Sequence, residues 1–94
     1  MYITCTEARE MVMSGAQLLD VRSAAEFAEG AAPGAMNIPV QMLGRYTALL
    51  DKAKPVIVYC RSGSRSAMAV NMLKSVGFKQ VRDLGSLRNY FNCE

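Results

Sequence analysis

Histidine and tryptophan are both missing from this 94-residue chain, and cysteine occurs only three times. Without imidazole, no Ser-His-Asp or Cys-His pair can be built, and no His-ligated zinc or haem site. Catalysis must use other groups. None of the three cysteines stands at C-x-x-C spacing. An odd count also suits a disulfide framework badly, so zinc site and disulfide scaffold are both poor readings and a reducing compartment is the expectation. Cys5 and Cys93, near the chain ends, read as packing or surface residues rather than resolving thiols. Charge of one sign never accumulates into a run, and the net charge of +3 is scattered, which gives no support to nucleic-acid binding. Apolar runs stop after a handful of residues, far short of a membrane span. The opening residues, Met1 to Glu7, show no basic stretch followed by an apolar one. A cytoplasmic location is therefore expected, or a periplasmic one if a signal peptide was removed.

What is present is an ordinary globular balance, 51% hydrophobic and 20% charged, in a length that fits a single domain over residues 1–94. Short β-rich runs alternate with helical stretches. Thr6 reads as the cap of a helix stopping near Gly15, and Gln17 to Val21 as a buried strand. Ser23 caps a short helix that Gly30 ends. After the Ala32-Pro33-Gly34 turn comes a brief strand at Met36 to Ile38, with Asn37 as a turn residue bonding its own backbone. A third helix fits Val40 to about Leu50, its apolar side made by Met42, Leu43, Tyr46, Leu49 and Leu50. Val56-Ile57-Val58-Tyr59-Cys60 is the strongest strand, continuous and β-branched as a central parallel strand requires. A helix from about Arg65 to Val76 follows, with Ala69, Val70, Leu73 and Val76 as its stripe. Gln80 to Leu84 makes a last strand, and Ser86 to Phe91 a final short helix. The seven methionines read as core filler, Met68 and Met72 among them. This order predicts an α/β fold with a mainly parallel sheet flanked by helices on both faces.

Open parallel sheets bind ligands beyond the carboxyl ends of their strands. Cys60 stands at that end of the most buried strand, before a helix, and opens the small, polar, basic run Cys60-Arg61-Ser62-Gly63-Ser64-Arg65. Such a loop can turn successive backbone N–H groups inward as an anion nest. Those donors, the helix dipole, Arg61 and Arg65 would all favour a thiolate, and Gly63 supplies freedom at the tightest point. Cys60 is thus a candidate nucleophile; the bland alternative is a buried structural cysteine. Asp20 and Arg22, near another strand end, read as a structural ion pair that supports the loop. Arg45 reads as a solvated helix charge.

Here the residues resemble the rhodanese-like family. Leu19-Asp20-Val21-Arg22, Glu26-Phe27, Gly30 and Pro33-Gly34-Ala35-Met36-Asn37-Ile38-Pro39 look like its N-terminal signature. Val58 to Ser66 resembles its active-site loop, and Gly77-Phe78, Val81 and Gly85 fall in similar places. The resemblance implies a five-stranded parallel sheet and sulfurtransfer. Cys60 would take the outer sulfur of thiosulfate or a related donor as a persulfide and pass it to cyanide, a thiol or a protein. The N–H groups of Arg61, Ser62, Gly63, Ser64 and Arg65 would hold the thiolate, and the Arg61 and Arg65 side chains would attract an anionic donor. No metal or organic cofactor is implied, and the covalent route needs no general base if the thiol is already ionised. The chain departs from the family with Ala31 where His is common, and with Gly85-Ser86 where Gly-Gly is usual. Two other readings compete. A non-catalytic rhodanese-like binding module would usually have replaced the cysteine. A cysteine phosphatase needs five residues between Cys and Arg, whereas four separate Cys60 from Arg65.

Overall fold

Val56–Cys60 (β3) is buried at every position, so both of its faces must be covered. In the computed structural model, which describes residues 2–93, helices supply that cover. The other strands are Gln17–Asp20 (β1), Met36–Asn37 (β2) and Val81–Ser86 (β4). All pair in parallel, in the order β2-β1-β3-β4. Period-two alternation divides β3 between two cores. Val56, Val58 and Cys60 join Leu43, Leu50, Ala69, Val70 and Leu73 on one face. Ile57 and Tyr59 join Ile3, Ala8, Leu84 and Tyr90 on the other.

The α/β class and the parallel sheet are as expected. The described residues form four strands where the family resemblance implied five. At the β4 edge, among the described residues, the N-terminal segment makes one backbone bond, from Ile3 N–H to the Asp83 carbonyl at 2.9 Å. Thr4 then leaves the sheet to cap Cys5–Met13 (α1) through a capping box with Glu7, so the cap is Thr4 and not Thr6. Ser23 caps Ala24–Glu29 (α2), as read from the sequence, and the structure adds that Glu26 completes a second capping box there.

The expected third helix is not continuous. Two 3-10 turns, Val40–Met42 and Thr47–Leu49, flank a single α-turn at Leu43–Tyr46 (α3). A three-residue period swings the apolar stripe off one face, so Leu43 and Leu50 are buried while Met42, Tyr46 and Leu49 are exposed. Ser64–Ser75 (α4) carries Ala69, Val70 and Leu73 inward, but Val76 lies past its end and is exposed. Met13, Met36, Met42 and Met68 are exposed too, so the methionines are not mainly core filler. The last helix is a 3-10 turn, Leu87–Tyr90, because β4 runs on to Ser86.

Cys5 and Cys93 form a disulfide across a sequence separation of 88 residues. This corrects the expectation of unpaired terminal cysteines, and it explains the odd count as one pair plus one free thiol, Cys60. The odd count therefore gives no support to a reducing compartment. No helix among the described residues is long and apolar enough to cross a membrane.

Candidate functional site

The carboxyl end of β3 meets the amino end of α4 in a turn of three residues, Arg61 to Gly63. Gly63 has φ 109° and serves as the N-cap of α4 without a side-chain bond, a conformation that favours glycine. That twist aims the Gly63 N–H at Cys60 Sγ, 2.9 Å away. Cys60 is completely buried. Burial pushes its thiol up, but the N–H groups of Ser66, Gly63 and Ser62 and the Ser66 hydroxyl outweigh this and leave it below its ordinary value. The loop thus stabilises the charged form of a sulfur that has no imidazole beside it.

Ser66 was not singled out from the sequence. Its side chain is buried, and its Oγ donates to the Gly63 carbonyl at 3.0 Å. The same hydroxyl lies near Cys60, so it ties the turn closed while favouring the thiolate. A polar residue among the apolar positions of a buried helical face was the available signal. Tyr2 was also overlooked. Its hydroxyl and ring lie against Gly63 and its ring against Gly85, where any Cβ would collide with it. Two glycines, distant in sequence, leave the space that the ring occupies.

Of the two cationic side chains placed at the loop, Arg61 is exposed, whereas Arg65 is engaged. Arg65 donates to both Glu26 carboxylate oxygens, at 2.7 and 3.1 Å, linking α4 to α2. Arg65, with help from the Ser23 backbone N–H, holds the Glu26 carboxyl at about 2. Ser62 and Ser64 are exposed on the loop.

Asp20 and Arg22 form a buried ion pair at the end of β1, closest at 2.6 Å. Asp20 also accepts from the Arg22 backbone N–H, and Arg22 donates to the Gly30 carbonyl at 2.7 Å, closing the ends of α2 and β1 together. Asn37 donates to the Asp20 and Arg22 carbonyls at 3.1 and 3.0 Å, so it clamps the neighbouring strand end rather than its own turn. Arg22 lies 5.6 Å over the Tyr59 ring, and the Tyr59 hydroxyl accepts from Ala32 N–H at 3.1 Å. This frame stands beside the loop and holds its neighbours.

A cavity of about 330 Å³ opens at the same end of the sheet, lined by Arg22, Glu26, Arg61, Ser86, Arg88 and Phe91 among others. Ser86 is the register partner of Cys60, which places the cavity next to the loop. A larger cavity, about 430 Å³, includes Ala16, Pro55 and Gln80, which precede β1, β3 and β4. It lies at the amino ends of the strands, away from the thiol. No cluster of metal-ligating side chains occurs among the described residues.

The family model described as a rhodanese-like domain matches residues 4–92. A sulfurtransferase of Allochromatium vinosum is 36% identical, matching 71% of this chain and 63% of that protein. The human thiosulfate:glutathione sulfurtransferase is 32% identical, with 98% of this chain and 94% of the relative covered. Among solved structures, a human single-domain sulfurtransferase superposes with a TM-score of 0.83 at 30% identity, covering 99% of this chain and 96% of that one.

Proposed function

The chain belongs to the rhodanese-like domain family, and from that premise we propose that it is a sulfurtransferase carrying a sulfane sulfur as a persulfide on Cys60. The observation that carries this reading is the Gly63 N–H aimed at a buried, thiolate-favouring Cys60 Sγ. In the first half-reaction the Cys60 thiolate attacks the outer sulfur of thiosulfate. A sulfur–sulfur bond forms to Cys60, the bond to the sulfonate sulfur breaks, and sulfite leaves with that electron pair. In the second, an acceptor thiolate attacks the outer sulfur of the persulfide, and the Cys60 thiolate is the leaving group. Charge balances in each step, and neither needs a general base once the thiols are ionised. The loop donors favour the leaving thiolate as they favoured the attacking one.

A thiol acceptor is the reading favoured by the human relative, whose name specifies glutathione. A phosphatase reading is weakened by Arg65, which stands after four intervening residues and is held by Glu26 instead of facing an oxyanion. A binding module has no use for a thiolate-favouring loop.

Intact-mass measurement before and after thiosulfate tests the proposal, with Cys60→Ser as control. A gain of one sulfur, absent in the variant, is expected. The same gain in the variant would move the carrier elsewhere. No gain from thiosulfate or from glutathione persulfide would overturn the enzymatic reading.

A further inference from the structure

The cavity beside the loop combines charges in a way that the transfer chemistry above leaves unused. Five charged side chains line it: Glu29, on the α2 side, is an exposed carboxylate without a salt bridge among the described residues, and the other four sort into two groups. Arg22 and Glu26 are already matched, by Asp20 and Arg65. Arg61 and Arg88 are exposed and have no carboxylate partner among the described residues. They approach from different elements, Arg61 from the loop after β3 and Arg88 from the 3-10 turn after β4. Leu87 and Phe91 add apolar surface to the same lining, and Phe91 is 54% exposed.

Ser86 connects this arrangement to the nucleophile. It pairs in register with Cys60, and its Oγ accepts from the Arg88 backbone N–H at 3.2 Å, capping the turn that carries Arg88. A glycine has no Oγ and could not make that cap.

Resting on the persulfide reading, we propose that this cavity seats the sulfur acceptor and that Arg61 and Arg88 select a small thiol bearing carboxylates. The acceptor's carboxylates pair with the two guanidinium groups, its carbon skeleton lies on Leu87 and Phe91, and its thiolate meets the outer sulfur at the loop. A volume of about 330 Å³ is at the low end for small-molecule sites, which suits a peptide-sized thiol better than a protein. Both cations are solvated, so each contact has a modest effect.

The test uses the full chain loaded with thiosulfate and freed of excess donor. Persulfide decay is followed by intact mass with glutathione, which has two carboxylates, and with 2-mercaptoethanol, which has none. Arg88→Gln is expected to raise the half-saturating glutathione concentration about fivefold, with a smaller change for 2-mercaptoethanol. Equal effects on both thiols would overturn the proposal. A second arm does not depend on sulfur transfer. S-methylglutathione, which cannot accept sulfur, is titrated into Cys60→Ser while backbone amide shifts are followed. Shifts at Leu87 to Phe91 that Arg88→Gln weakens are expected; saturation elsewhere, or no binding, would overturn the seat. If the protein fails to load sulfur yet still binds S-methylglutathione at that turn, the persulfide reading falls and the seat stands.

Discussion

At Cys60 two opposing effects meet, burial that disfavours a charge and a set of donors that favours it, and the donors prevail. Alkylation by iodoacetamide should therefore reach half its limiting rate at a pH below that of a free thiol, near 8.5. A profile centred on the free-thiol value would contradict the assignment. Gly63 controls the alignment of the nearest donor. Gly63→Ala would force a Cβ into Tyr2 and hold a φ of 109° that costs a non-glycine residue about 1–3 kcal/mol. The expected result is a lower melting temperature together with an alkylation profile shifted to higher pH. Gly63→Ala combined with Tyr2→Ala separates the two causes, since it relieves the collision and leaves the backbone strain. The position of Cys60, the turn and Gly63 was legible in the sequence, because strand end, small polar residues and helix start follow one another along the chain. Tyr2 and Ser66 were not, because their roles depend on which distant residues lack a Cβ or present a carbonyl.

Two pairs of charged residues determine how the elements around the loop are joined. Arg65 and Glu26 join α4 to α2, and the Glu26 carboxyl sits at about 2 against an ordinary 4.5. The unfolded chain binds this proton near pH 4.5, so the pair's stabilisation is complete above that pH and fades as pH falls toward 2. Denaturation midpoints should fall across that window, and Glu26→Gln should flatten the fall. An equally steep fall in the variant would place the dependence elsewhere. Asp20 and Arg22 are buried, so removing one leaves the other uncompensated. Asp20→Ala is expected to cost about 3–5 kcal/mol in urea unfolding, well beyond a surface pair. Most elements were readable from period and caps, the Ser23 cap among them. The segment from Val40 to Leu50 was misread because its apolar spacing satisfies a helix on paper. Its backbone alternates between 3-10 and α turns, a choice made by packing under β1 and β3 rather than by local pattern.

The whole molecule is a sheet with two unequal coverings, one of α3 and α4 and the other of α1 and the C-terminal turn. The second is held at its far end by side chains. Arg9 donates to the Tyr90 carbonyl at 2.7 and 3.0 Å with its guanidinium over the Tyr90 ring, and Cys5 is bonded to Cys93. A link closing so long a loop limits the unfolded chain by about 4–5 kcal/mol in the chain-entropy view. The Cys5→Ser, Cys93→Ser double variant should unfold at lower denaturant while Cys60 still loads sulfur. Titration of the unreduced protein in denaturant should find one free thiol; three would refute the pairing. The sequence could not give this partnership, since residues at opposite ends of a chain announce no proximity. Its topological result is a covalent ring that runs from Cys5 to Cys93. A protease that cuts the exposed Pro33-Gly34 turn would open the ring without dividing it. The nicked protein would migrate as one species on a gel without reductant and as two with it, and its halves, never free to diffuse apart, could still assemble the same sheet.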